Sequence, residues 1–199
     1  FKDLPTGRPL GLAIGAVPAR ADPRDALVAR DGLTLHDLPQ EASVGTGSPR
    51  RAAQLLAVRP DLTIVDIRGN VDTRLGRVKG LGHYAKGGGK EDLDAVVLAA
   101  SGLARLGHSG TVTEFLDPSV VLPAPAQGAL AVECRTADSR HGKLAKALAR
   151  IDDRRTRLAA TAERAVLSHL EAGCAAPIGA LAQLKPVSGS SPQVLTLDV

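Results

Sequence analysis

Apolar and polar positions along the first half of the chain fall into a repeating block of short apolar run, capping residue and amphipathic stretch. Ala42 to Thr46 is short and uncharged, and Ser48-Pro49 follows it. Ser suits a helix N-cap, and Pro suits the first helical position, where no backbone N–H is needed. The pattern then predicts a helix over Arg50 to Val58, with Ala53, Leu56 and Ala57 on its apolar face. The second block predicts a β-branched strand over Leu62 to Ile67, an N-cap at Asn70 and a helix over Val71 to Val78. The third predicts a strand over Leu93 to Ala99 and a short helix over Ser101 to Leu106. Strands alternating with helices point to βαβ units and a parallel sheet.

Between the second and third blocks, Gly80 to Asp92 reads as a flexible excursion, with Gly80, Gly82, Gly87, Gly88 and Gly89. It lacks the phosphate-binding GxxxxGK[ST] spacing: Tyr84 stands where the first Gly is required, and Glu91 follows Gly89-Lys90. Pro118 to Pro125 reads as a connector and Gly128 to Cys134 as a buried strand. Asp152 or Asp153 caps a long helix whose apolar face is Leu158, Ala162, Ala165, Val166, His169 and Leu170, with Gly173 ending it. Ala175 to Val199 reads as strand material broken by Ser188 to Pro192. The alternation at Leu195-Thr196-Leu197 stops abruptly and the chain does not open on Met, so it reads as cut at both ends.

Composition narrows the class. The 199 residues are 44% apolar but only 2% aromatic, so the core is built from Leu, Val, Ile and Ala. Few aromatics leave little stacking surface for single-stranded nucleic acid. A net charge of +4 is mild and points to an anionic partner only where basic residues cluster. Two cysteines, Cys134 and Cys174, form no disulfide framework and suit a reducing, cytoplasmic setting. No apolar run reaches the ~18 residues of a membrane span, and the start Phe1-Lys2-Asp3-Leu4-Pro5 is no signal peptide.

The basic residues do cluster. Arg50 and Arg51 follow the first strand, Arg68 ends the second, Arg74 lies one turn into the next helix, and Arg105 lies on the third. In an open parallel sheet, strand ends and helix starts line one crevice. Arginine at a helix start is opposed by the dipole, by ~0.3–1 kcal/mol, so two there suit a site that holds an anion. The competing reading is a solvated helix face with ordinary surface pairs. Cys174, in a Gly-flanked loop after a helix, has the setting of a reactive thiol, although buried cysteines are commoner. Cys134 reads as packing, and Asp3, beside Lys2, as a solvated terminus. The five histidines show no metal spacing. Thr46-Gly47-Ser48-Pro49-Arg50 is not a nucleophile elbow.

Several stretches, in order, resemble the porphobilinogen deaminase family. Phe1-Lys2-Asp3-Leu4-Pro5 is similar to the tail of its His-Ser-x-Lys-Asp-x-Pro motif, and Asp22-Pro23-Arg24-Asp25-Ala26 to its Asp-Pro-Arg-Asp-Ala stretch. Gly45 to Arg51 resembles Gly-Thr-Ser-Ser-Leu-Arg-Arg, and Arg68 to Leu75 resembles Arg-Gly-Asn-Val-x-Thr-Arg-Leu. Pro123 to Ala129 resembles Pro-Ala-Val-Gly-Gln-Gly-Ala, and Glu171 to Gly179 the cofactor-attachment loop Glu-Gly-Gly-Cys-x-x-Pro-Ile-Gly.

The resemblance implies an α/β protein with periplasmic-binding-protein-like domains of mixed or parallel sheets, their cleft holding the active site, plus an incomplete small α+β C-terminal domain. Residues 1–17 and 111–138 would be a remnant of domain 1, 18–110 domain 2, and 139–199 the incomplete domain 3. It implies a cytoplasmic, monomeric transferase of haem and tetrapyrrole biosynthesis. That enzyme polymerises four porphobilinogen molecules into hydroxymethylbilane on a covalent dipyrromethane, with neither nucleic acid nor membrane as partner. Cys174 would carry the dipyrromethane by a thioether. Lys2, Thr46, Ser48, Arg50 and Arg51 would bind that cofactor, and Arg68, Arg74 and Arg105 the substrate and growing chain. Asp3 would be catalytic, accepting pyrrole N–H bonds and offsetting positive charge.

Gly47 stands for a usual Ser, Pro49 for Leu, Ala126 for Gly and Ala172 for Gly, and the Gly-rich excursion is longer than usual. The missing start of domain 1 implies a chain inactive as it stands. The alternative is a non-catalytic polycarboxylate-binding module of the same architecture, which needs neither Cys174 nor Asp3. A nucleic-acid binder is disfavoured by the few aromatics and mild charge.

Overall fold

A computed structural model of the chain describes residues 1–7, 9–171, 176–186 and 193–199. Its elements in order are β1 (Leu12–Ala16), β2 (Asp25–Ala29), β3 (Ser43–Gly45), α1 (Pro49–Val58), β4 (Thr63–Val65), α2 (Val71–Leu75), β5 (Ala95–Ala99), α3 (Ala100–Arg105), β6 (Glu114–Phe115), β7 (Val132–Arg135), α4 (Gly142–Ile151), α5 (Arg154–His169), β8 (Leu181–Pro186) and β9 (Gln193–Asp198). They form two compact units: an inserted unit, Arg24–Leu122, and a flanking unit, Phe1–Pro23 with Pro123–Val199. The sequence-based boundary at 110/111 lies inside the inserted unit, because β6 pairs with β2 and Leu116 and Val121 join that unit's core.

The inserted unit is built on a five-stranded sheet in the order β4-β3-β5-β2-β6. β3 runs parallel to β4 and β5, as the βαβ pattern predicts, but β2 enters antiparallel between β5 and β6. The sheet is therefore mixed. All five residues of β2 are buried, and Asp25 faces Ala99 at its start. Because side chains alternate across a strand, β2 and β5 feed two cores. Leu27 and Val97 pack with Leu55 of α1 and Leu116, while Val28 and Val96 pack with Ile67, Leu75 of α2 and Leu103 of α3. Helices thus cover both faces of the sheet, which suits its near-continuous apolar strands.

The caps form as the sequence predicts. The side chains of Ser48, Asn70 and Asp153 accept from the backbone N–H of Arg51, Thr73 and Thr156, and Pro49 opens α1. The helix faces do not. In α1 the buried side chains are Arg50, Arg51 and Leu55, and Leu56 is exposed. In α5 they are Thr156, Ala159, Ala160, Glu163 and Leu167, while Leu158 and Leu170 are exposed. In both helices a charged residue sits on the core face with its counter-ion, and this rotates the face away from the apolar count.

The Gly-rich stretch is also more ordered than its composition suggests. Glu91 accepts from the backbone N–H of Gly80 and Gly82, Arg77 chelates Asp92, and Gly82–Tyr84 is a 3-10 turn. Gly89 passes so close to Gly76 that a Cβ there would lie 1.7 Å from the Gly76 carbonyl oxygen.

In the flanking unit β1 pairs antiparallel with β7, with an irregularity between Ile14 and Ala16. β7 alternates between half-buried and exposed positions, so the fully buried strand expected over Gly128 to Cys134 is instead a turn followed by a two-stranded ribbon. The hairpin β8–β9 accounts for the strand material near the C-terminus. Ser188 to Pro192 and Gly173 lie outside the described residues.

Candidate functional site

The basic cluster of the inserted unit is organised around an acid that the motif reading assigned no role. Asp25 opens the interior strand β2, between β5 and β6, and is fully buried. The first turn of α1 brings two guanidinium groups to it. Arg50 Nη2 donates to Asp25 Oδ2 at 2.7 Å, and Arg51 donates to Oδ1 from Nη2 at 2.6 Å and Nε at 3.0 Å. Arg50 also donates to the Leu122 carbonyl, and Arg51 Nη1 to the Val97 carbonyl at 3.1 Å. Arg50 and Arg51 are 5% and 7% exposed. Burial alone would raise the Asp25 carboxyl, but the charges and hydrogen bonds of Arg51 and Arg50 outweigh it and hold it below its ordinary value. Burial pushes the Arg50 guanidinium down, Asp25 opposes this, and the neighbouring charge of Arg51 adds to it. The anion that justifies two arginines at a helix start is thus, in the first instance, the protein's own.

Arg68 and Arg74 are placed differently. Arg68, at the end of the segment after β4, has an 83% exposed side chain and pairs with Asp66 at 3.4 Å. Arg74, half-buried on α2, donates from Nε to the Gly69 carbonyl at 2.8 Å. Gly69 has φ +106°, and a Cβ there would press on Thr73, so glycine is what lets the chain turn from Arg68 into α2. Burial lowers the Arg74 pKa, and the positive charges of Arg51 and Arg68 lower it further, against Asp66. Arg51, Arg68 and Arg74 therefore share one field. Arg105 lies in the last turn of α3, exposed. Thr46 is buried, and its Oγ1 accepts from the Ser48 backbone N–H at 3.2 Å. Ser48 is half-buried as the α1 cap.

In the flanking unit Lys2 Nζ donates to Gln127 Oε1 at 3.3 Å, and Asp3 is exposed. Gln127 is fully buried; its Nε2 donates to the Pro23 carbonyl at 2.8 Å and its own carbonyl accepts from Arg20 Nε at 2.8 Å. Arg20 in turn chelates Glu163 of α5 at 2.6 and 2.9 Å. Glu163 also accepts from the backbone N–H of Ala126 and Ala182, at 2.6 and 2.8 Å. One buried carboxylate thus ties the Pro123–Ala129 turn and the β8–β9 hairpin to α5. Sequence reasoning passed over Asp25, Gln127 and Glu163. The signal for Asp25 was an acid opening an otherwise apolar strand, and for Glu163 an acid spaced four residues from both Ala159 and Leu167 on one face.

Cys174 lies outside the described residues. A cavity of about 510 Å³ in the flanking unit is lined by Phe1, Ile14, Glu133, Arg164 and His169 among others, and by none of the residues assigned a catalytic, cofactor or substrate role from the sequence. Among the described residues, no helix is long and apolar enough to cross a membrane.

Comparison with known proteins gives two family matches. Residues 1–143 match the family described as porphobilinogen deaminase, dipyromethane cofactor binding domain, and residues 157–198 match porphobilinogen deaminase, C-terminal domain. The chain is 98% identical, over its whole length, to a porphobilinogen deaminase of Cutibacterium acnes. It is 55% identical over 98% of its length to one of Micrococcus luteus. It spans 60% and 56% of the length of those two relatives. Among solved structures, a YaeC-family lipoprotein of Enterococcus faecalis matches with TM-score 0.40 at 15% identity, over 71% of this chain and 62% of that one, a likeness too slight to argue from.

Proposed function

The chain belongs to the porphobilinogen deaminase family, and from that premise we propose that it is part of a deaminating transferase that joins porphobilinogen units into linear hydroxymethylbilane. The family match does not favour a merely anion-binding module. The observation that carries the reading is the placement of Arg68 and Arg74 on either side of the Gly69 turn into α2, both reaching solvent. Each pyrrole ring of the substrate brings an acetate and a propionate, and arginine forks match carboxylates in pairs.

In this reading Arg68 and Arg74, which reach solvent, grip the carboxylates of substrate and growing chain, with Arg105 beside them on α3. Arg50 and Arg51, already chelating Asp25, act mainly through their charge, drawing cofactor carboxylates toward Ser48 and the open end of α1. Thr46 supports that turn through its bond to the Ser48 N–H. Lys2, steadied by Gln127, is a further carboxylate partner.

The donor set fits a dipyrromethane, a group rich in carboxylates with two ring N–H donors, and we assign Cys174 as its thioether anchor. When bound, that group supplies the nucleophilic pyrrole carbon to which each new unit is joined. Asp3 then accepts ring N–H bonds and offsets the positive charge that develops as ammonia leaves the substrate. We further take the protein to be cytoplasmic and monomeric, with the inserted unit, Arg24–Leu122, as domain 2, flanked by residues of domain 1, and 139–199 as the cofactor-bearing domain 3.

The test is the intact mass of a folded full-length version of the protein made in a haem-synthesising host. The expected result is an adduct of two pyrrole units, absent from Cys174→Ser. A folded full-length protein with unmodified mass overturns the proposal.

A further inference from the structure

We infer that His108 and Asp72 are a positioning pair for Arg74, a role resting on the reading of Arg74 as a substrate-carboxylate contact. The helix that carries Arg74, α2, has only five residues. So short a helix has little stability of its own and takes its orientation from outside contacts. Its core anchor is Leu75, fully buried, and its cap is Asn70. A third tether comes from the far end of α3: His108 Nε2 lies 2.8 Å from Asp72 Oδ1. Asp72 stands two residues before Arg74, on the first turn of α2.

His108 is itself fixed. Its backbone N–H donates to the Leu103 carbonyl at 2.9 Å, and its carbonyl accepts from Thr111 Oγ1 at 2.8 Å. The Tyr84 ring meets its imidazole edge-on at 5.0 Å, and His83 packs on Tyr84 at 4.3 Å. The ring is thus held between α3, α2 and the 3-10 turn of the Gly-rich stretch. It is well placed to set the angle at which α2 presents Arg74. A neutral imidazole serves as well as a charged one, since one N–H toward Asp72 is all the tether needs.

The experiment is a titration of a full-length version of the protein with porphobilinogen, followed by NMR on the arginine Nε–H signals. The variants are His108→Leu, Asp72→Ala, His108→Gln and Arg74→Leu. Losing a hydrogen bond to a charged group is expected to weaken binding by about tenfold in His108→Leu and Asp72→Ala. Both should move the Arg74 Nε–H signal in the free protein. His108→Gln keeps an amide N–H that reaches Asp72 and is expected to restore both affinity and signal. His108→Leu and Asp72→Ala that bind as the parent does, while Arg74→Leu binds poorly, overturn the positioning role and leave the substrate reading standing. Unchanged binding in Arg74→Leu overturns both. Weak binding in His108→Gln equal to that of His108→Leu also overturns the positioning role, because general loss of packing would then explain the effect.

Discussion

Replacing Asp25 by Ala strips the shared carboxylate partner from two arginines whose side chains are 5% and 8% exposed. Three charge-assisted hydrogen bonds disappear, and two guanidinium charges stay in a site closed to water. Removing one partner of a buried ion pair costs about 3–5 kcal/mol, chiefly through the charge left uncompensated. With two orphaned arginines the upper end applies, against a whole-domain stability of about 5–15 kcal/mol. Where 1 kcal/mol moves the midpoint of a domain this size by about 4–8 °C, the inserted unit should melt at least ~15 °C lower.

The chain has no Trp and one Tyr, so far-UV circular dichroism and peptide-resolved hydrogen exchange over Arg24–Leu122 are the suitable assays. The triple variant Asp25→Leu, Arg50→Met, Arg51→Met removes every charge together and should recover most of the loss. Acid should reproduce the defect in the parent. A carboxyl held lower in the folded than in the unfolded chain binds fewer protons when folded. Its contribution is complete above the unfolded value, near 4, and is lost as pH falls through the folded value. Asp25→Ala should therefore flatten the acid limb of the stability profile below about pH 4. A variant within about 0.5 kcal/mol of the parent, with the acid limb intact, would refute the argument that Asp25 neutralises this pair.

Two further outcomes are expected. Glu163→Ala leaves Arg20 and two backbone N–H groups without their carboxylate, at a cost of about 3 kcal/mol or more. Hydrogen exchange at Ala126 and Ala182 should rise together, and a rise at only one would refute their shared dependence on Glu163. Gly69→Ala puts a side chain at φ +106° against Thr73 and should cost ~1–3 kcal/mol by urea titration, with Arg74 Nε–H losing its protection by the Gly69 carbonyl. A neutral effect would show that the turn adopts another path.

The local grammar of the chain was readable. Ser48-Pro49, Asn70 and Asp153 announce their helices because capping is chemistry of one residue and its next three. The strands at β3, β4 and β5 followed from apolar runs between those caps. What was hidden depended on partners distant in sequence. β2 carries its acid into the buried interior of the unit, which Arg50 and Arg51 make tolerable. With those charges inside, the apolar positions Leu56 and Leu158 turn outward, opposite to what periodicity alone implies. The antiparallel entry of β2 between β5 and β6 likewise has no signature within its five residues. At the site, the clustering of arginines was visible, whereas the division between those that hold Asp25 and those left facing solvent was not.

The chain crosses between its two units at two places, and this has a consequence for biogenesis. Arg24–Leu122 is one unbroken stretch, so its sheet can assemble as it leaves the ribosome. β1 pairs with β7, and the Val17 N–H bonds to Asp152, so these contacts form only once the whole insertion has been translated. Closing so long a loop costs little extra once its ends are brought near by a folded insert. A lesion in the insert, even far from any ligand, then hinders the pairing of β1 with β7 and leaves those strand edges open to proteases and to other chains.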